Sequence, residues 1–269
     1  MSCSPPPSYI LVASPGRSGT SFIADVFTSC PSCSCHHEPP PTLSGYHYSF
    51  TAHDQSVELS AKLRSMPRIK SGSTHVETNH TLLHSPLHHE ELLKPLLALG
   101  SVAVLVVRRP HSEVVKSRVE LGHGSQYTKA GERRFRGLSW IYLPSSPLAS
   151  LPAIKPDEEL SSVEVCCSYI LNVEASSRRL FELAASDPKL IVVEVEWSEV
   201  NKVSFWRGIF EQFGLRYSEE KLARIVKGGK RNERRQEKEA KHIEEREITY
   251  YEREIENYQR ATWEAVTQR

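Results

Sequence analysis

The stretch Tyr9–Phe22, YILVASPGRSGTSF, constrains the fold more than any other part of the chain. Tyr9–Ala13 is a short β-rich run and Phe22–Phe27 carries apolar residues at helical spacing, with a Gly/Ser turn between them. The order is therefore strand, loop, helix. Gly16 and Gly19 let the backbone fold back on itself, and the N–H groups from Ser18 to Ser21 can then converge on an anion at the helix start. Arg17 adds a guanidinium fork, and Ser18, Thr20 and Ser21 add hydroxyl donors. The bland reading of the same residues is a capped helix start after a tight turn. A triphosphate loop of the Walker type needs Gly, four residues, then Gly-Lys-Ser/Thr. Here Thr20 follows Gly19 where the lysine belongs, and the first glycine slot falls on Ser14. The loop suits one terminal phosphate with a neighbouring oxyanion rather than a triphosphate held through magnesium.

Further along, Ser101–Val107 (SVAVLVV) is apolar at nearly every position, the pattern of a strand buried on both faces of a parallel sheet, and Leu190–Val195 repeats it. Helical patterns begin at Pro110, run over Glu164–Ala185, and recur around Phe205–Phe213 and Ser218–Val226. Strands alternating with helices predict an α/β fold, a three-layer doubly wound parallel sheet with right-handed crossovers, in a single domain over all 269 residues. Residues 1–7 are expected to be disordered, Ser29 to about Thr51 to be a long irregular loop, and Gly122–Pro156 to be a lid or insertion over the carboxyl edge of the sheet. Lys227–Glu247 reads as a solvated charged face. In the C-terminal extension 233–269, Ile248, Tyr251, Ile255 and Tyr258 fall at helical spacing and predict an amphipathic helix docked on the body.

Charge excludes some partners. With 34 Lys+Arg against 33 Asp+Glu the formal net charge is +1, so no bulk electrostatic term draws the chain to nucleic acid or an acidic membrane. No apolar run approaches the ~20 residues of a membrane span. The opening MSCSPPPS has neither a basic nor an apolar leader region, so the expected compartment is the cytoplasm, with the six cysteines reduced.

The loop SPGRSGTSF resembles the 5′-phosphosulfate-binding loop of sulfotransferases, especially the carbohydrate and bacterial branches that carry Arg where the cytosolic small-molecule branch carries Lys. The resemblance implies a P-loop NTPase-like sulfotransferase architecture. It also implies metal-independent transfer of a sulfuryl group from 3′-phosphoadenosine 5′-phosphosulfate to an acceptor hydroxyl, with the donor held by Gly16, Arg17, Ser18, Gly19, Thr20 and Ser21. The family's second signature is an Arg at a strand end and a Ser two helical turns on, which together hold the 3′-phosphate. VLVVRRPHSEVVKS is similar to it: distance to Pro110 selects Arg108, while the eight-residue spacing to Ser117 selects Arg109. The stretches CCSYILNVEASSRRLFELAAS, KLIVVEVEWSEV and FWRGIFEQFGL resemble the family more loosely. So does VKGGKRN, Val226–Asn232, at the place of a loop that closes over the nucleotide.

The roles follow from the same resemblance. Arg17 is the candidate for stabilising the leaving phosphate oxygen and the sulfuryl group. Glu38 in CHHEPP is the first candidate for the base, followed by His36 and His37, and then by His75 and His80 of THVETNH. The acceptor is expected to be a small molecule or carbohydrate, stacked on Tyr46, Tyr48, Trp140 or Tyr142. The cluster Cys30, Cys33, Cys35, His36 and His37 has zinc-compatible chemistry, yet structural zinc sites usually draw on two separated pairs, so no metal is expected. The alternatives are a small-molecule kinase with a degenerate loop and a non-catalytic nucleotide-binding protein. Oligomeric state is not assigned.

Overall fold

The computed structural model describes residues 5–16, 19–41, 52–69, 72–120, 122, 149–228 and 245–267. Its centre is a five-stranded sheet built from β1 (Tyr9–Ala13), β2 (Cys33–His36), β3 (Thr74–Glu77), β4 (Val102–Arg108) and β5 (Leu190–Glu196), in the order β2-β3-β1-β4-β5. All pairings are parallel. Every residue of β1 is buried, because alternate side chains serve two different cores. Ile10 and Val12 face one core with Ala103, Leu105 and Val107, while Tyr9, Leu11 and Ala13 face another with Val102, Val104 and Val106. Continuous apolar runs in β1 and β4 are thus the direct consequence of helices on both faces.

The first face is covered by α1 (Thr20–Phe27), α7 (Val203–Gln212) and α8 (Glu219–Gly228). Trp206 of α7 is fully buried, donates its indole N–H to the Val200 carbonyl at 2.7 Å, and meets Phe22 and Phe27 of α1 edge-on. Burial of each such side chain contributes about 1.5–3 kcal/mol and fixes α1 against the sheet. The second face is covered by α2 (Ala52–Ser65) and by a helical run made of α3 (Pro86–His88), a π-helical turn at His89–Leu93, and α4 (Lys94–Leu99). The end of α6 (Ser162–Ser186) joins that layer through Leu180. A third cluster joins α5 (His111–Glu120), α6 and α9 (Glu245–Thr267), where Ile255 and Tyr258 are buried, so the amphipathic C-terminal helix docks as its spacing predicts.

Four details differ from the sequence-based expectations. Residues 29–41 are not wholly irregular, since β2 pairs with β3 from Cys33↔Thr74 to His36↔Glu77. Pro7 is buried and its carbonyl accepts a hydrogen bond from Thr74 at 2.9 Å, so order begins before β1. The helix expected from Glu164 starts at Ser162 because Ser161 and Glu164 form a reciprocal capping box. Residues 52–65, which follow the irregular segment and have no element assigned from the sequence, are helical. Most of Gly122–Pro156, and Tyr46, Tyr48, Trp140 and Tyr142 with it, lie outside the described residues. Among the described residues no helix is long and apolar enough to cross a membrane.

Three histidines line the second face in neutral form. Burial, with a contribution from His89, pushes His88 down to about 3, and burial with Arg179 pushes His89 down to about 4. Burial also lowers His84, helped by His80. These are bases with depressed folded-state values: the unfolded chain takes up their protons below about 6.5 while the fold refuses them. Stability is therefore fully present above that pH and falls as the pH drops toward the folded values. We expect the unfolding free energy from urea titrations to hold between pH 7.5 and about pH 6.5 and then to decline toward pH 5 by about 1.4 kcal/mol per pH unit for each fully excluded proton. His88→Met should flatten that slope, and a pH-independent midpoint would contradict the buried neutral state.

Candidate functional site

The chain after β1 turns toward β2 and β3, while the chain after β4 continues toward β5 on the other side. The carboxyl ends of β1 and β4 therefore flank a topological switch point, where open α/β sheets leave a crevice for ligands. The loop Ser14–Gly19 opens at that crevice. Gly16 and Gly19 have φ of 61° and 69°, left-handed values that only glycine adopts without strain. Space requires glycine as well. A Cβ on Gly16 would lie 2.5 Å from Arg118 Nη2 and 2.8 Å from His80 Cδ2, and one on Gly19 would lie 2.2 Å from Trp197 Cη2.

Helix α1 starts on Gly19 with no side-chain cap and no acidic residue in its first turn. Its first N–H groups, those of Thr20 and Ser21 included, thus keep the positive end of the helix dipole open to an anion. Ser14 Oγ, buried at the loop's entry, has no hydrogen-bond partner among the described residues. Both features fit a bound oxyanion. Arg17 and Ser18 lie outside the described residues, so their assignment rests on the sequence.

Arg108, the last residue of β4, and Arg109, the next, point to different sides. Arg108 turns toward α6, where Nη1 donates to Glu174 Oε1 at 3.1 Å and Nε to Glu194 Oε1. Arg109 turns to the other side, with its guanidinium carbon 5.7 Å from the centroid of Trp197, the ring that packs on Gly19. It also donates to Glu113 Oε2 at 2.9 Å. Of the two, Arg109 is beside the loop, which agrees with the eight-residue spacing to Ser117, a half-buried residue of α5. Its neighbour Arg118 is 1 % exposed, donates from Nε at 3.1 Å and from Nη2 to the Pro15 carbonyl, and lies 3.9 Å over the Tyr169 ring. Arg118 thereby braces the loop from behind.

The candidate bases separate in space. His80 Nδ1 donates to Glu38 Oε1 at 2.7 Å, so two residues 42 positions apart form one pair beside Gly16. Burial lowers His80 below the ordinary imidazole value, and the Glu38 carboxylate offsets part of that effect. The imidazole is therefore neutral at pH 7, with Nε2 free of the carboxylate and on the Gly16 side, 3.1 Å from where a Cβ would stand. His36 instead lies near Ser34 Oγ and stacks on His75, with ring centroids 5.2 Å apart. His37 Nδ1 lies 3.2 Å from Thr78 Oγ1. Glu77 is buried in an ion pair with Lys62 of α2, each side chain 1 % exposed. Lys62 also donates to the Pro39 carbonyl at 2.9 Å, tying α2 to the segment that presents Glu38. Glu38 has φ of 46°, which costs a non-glycine residue about 1–2 kcal/mol, and these two bonds hold it there.

Alternation along β2 turns Cys33 and Cys35 toward the first core and exposes Ser34 and His36 on the opposite side. The five zinc-compatible side chains therefore do not converge. Lys62, Arg118 and Trp197 are site residues with no marker in the sequence, since their roles come from contacts 23 to 178 positions away. Compared with known proteins, the chain matches no family model and no curated protein sequence.

Proposed function

We propose that the chain is a sulfotransferase that uses 3′-phosphoadenosine 5′-phosphosulfate as donor and a hydroxyl of a small molecule or carbohydrate as acceptor. The observation that carries the reading is a bare helix N-terminus at the switch point, with a guanidinium on one side and a carboxylate-oriented imidazole on the other. Sulfuryl transfer, like phosphoryl transfer, has a loose in-line transition state, so fixed positive charge and positioning contribute most. The N–H groups of Gly19, Thr20 and Ser21, with Arg17, stabilise the 5′-phosphate oxygen as its bond to sulfur breaks. Arg109, with Ser117, holds the 3′-phosphate. The acceptor oxygen attacks sulfur and its proton passes to His80 Nε2, while the Glu38 carboxylate keeps the imidazole oriented and stabilises its cation. Glu38 thus acts through His80 rather than as the primary base. No step calls on a metal.

The test is calorimetric titration with 3′-phosphoadenosine 5′-phosphate beside ATP with magnesium, on the wild type, Arg17→Ala and Arg109→Ala. The expected result is binding of the bisphosphate by the wild type, a loss of at least tenfold in each variant, about 1.4 kcal/mol or more, and no comparable ATP binding. A preference for ATP with magnesium would assign the loop to a kinase. Binding of neither would leave it a helix cap.

A further inference from the structure

The turn joining α1 to β2 holds a second chemical feature, independent of the transfer reaction. Cys30-Pro31-Ser32-Cys33 closes as a β-turn, with the Cys33 N–H donating to the Cys30 carbonyl at 3.0 Å. A turn of this kind brings its end Cα atoms within about 7 Å, and disulfides span about 4.4–6.8 Å. Proline at the second position pre-sets the turn. Both sulfur-bearing side chains are directed into the same core: Cys30 is 1 % exposed within it, and the half-buried Cys33 packs against it. Among the described residues, burial and separation set the other cysteines apart. Cys166 and Cys167 are buried on α6, far along the chain. Cys35 lies two residues beyond Cys33 on the same face of an extended strand, about 6.6 Å away by strand rise.

From this juxtaposition we propose that Cys30 and Cys33 form a reversible dithiol–disulfide pair, a redox modification site that closes without unfolding the chain. The half-buried Cys33 sulfur, as its thiolate, attacks one sulfur of a low-molecular-weight disulfide such as glutathione disulfide and releases one thiolate. Cys30 then attacks the Cys33 sulfur and displaces the second. The pair loses two protons and two electrons, and one oxidant disulfide is reduced to two thiols. Access, rather than electrostatics, assigns the first attack to Cys33, because Cys30 is buried. The Cys33 S–H bond lowers the Cys30 thiol below its ordinary value, with help from Ser29 and the Lys221 ammonium, which itself binds the Thr28 carbonyl. The same contact, with burial, raises Cys33, which makes the first attack slow and the resolving step fast. Burial also pushes Cys35 up to about 12. The turn connects α1, which begins at the anion-binding loop, to β2, which ends two residues before Glu38. Oxidation therefore braces the two elements that frame the candidate site.

The experiment equilibrates the full-length native protein with glutathione buffers of graded ratio, quenches with an alkylating agent, and maps the bridge by peptide mass. The expected result is loss of two of the six free thiols, a Cys30–Cys33 linked peptide, full reversal by dithiothreitol, and unchanged circular dichroism. Cys35→Ser should behave as the wild type, and Cys33→Ser should lose the bridge. Stable glutathionylation of Cys33 without a bridge, a Cys33–Cys35 bridge, or thiols that react only after unfolding would each overturn the proposal. Because mapping is done on the wild type, it holds whether or not a variant folds. It also reads independently of any donor binding.

Discussion

His80→Gln is expected to lower turnover by about 10²–10⁴-fold while leaving affinity for 3′-phosphoadenosine 5′-phosphate unchanged. The magnitude is that of removing a positioned general base. The selectivity follows from the proposed roles, in which His80 beside Gly16 takes the acceptor proton while the helix start and Arg109 hold the donor's anions. Glu38→Gln supplies the discriminating readout. The Glu38 carboxylate raises His80 against the lowering effect of burial. Removing that charge lowers the imidazole further, so the acid limb of the pH–rate profile should move to lower pH while the plateau falls, because the base is weaker and less well held. A purely structural Glu38 would leave the acid limb in place. Retained turnover in His80→Gln, or loss of bisphosphate affinity with it, would remove His80 from the proton-accepting role.

Lys62→Met is expected to cost about 3–5 kcal/mol of folding stability, the usual penalty for leaving the partner of a buried ion pair uncompensated. Glu77 would remain 1 % exposed with its cation gone, and His75 Nε2 at 3.6 Å is a weak substitute. The double variant Lys62→Met, Glu77→Leu should recover most of the loss, since an apolar pair of similar volume carries no desolvation penalty. Urea denaturation of the two single variants and the double closes the cycle. A single-variant cost below about 1 kcal/mol, as for an exposed pair, would show that water reaches this site. Lys62 also holds the Pro39 carbonyl. The double variant should therefore fold but position Glu38 less well, and its turnover should fall below that of the wild type.

The elements legible in the sequence were those whose pattern is local. β1 and β4 carry runs of apolar residues that burial in a parallel sheet explains; β5 carries a similar run yet pairs only with β4 among the described strands and leaves Ile191, Val192 and Val193 half-buried, and the helices after β4 and β5 carry their spacing openly. β2 was not legible, because CSCH has no strand signal of its own and becomes a strand only by pairing with β3 at the sheet edge. The candidate site divides the same way. Gly16 and Gly19 announced a loop with special backbone angles, and their φ values bear that out. The choice between Arg108 and Arg109 was open on spacing alone. The tertiary structure sets the two on opposite sides, Arg108 against Glu174 and Glu194, Arg109 over Trp197 and against Glu113.

The sequence by itself determined an α/β chain with a strand–glycine loop–helix unit at its start, because chain direction, apolar run length and glycine torsions are properties of adjacent residues. Only the tertiary structure decided which groups meet at that loop. Glu38 meets His80, Lys62 meets Glu77, Arg118 reaches Pro15 and Trp197 closes on Gly19. Each of these contacts spans a separation that no local periodicity encodes. They form because burying the two faces of one sheet brings the carboxyl ends of β1, β2, β3 and β4 to the same edge.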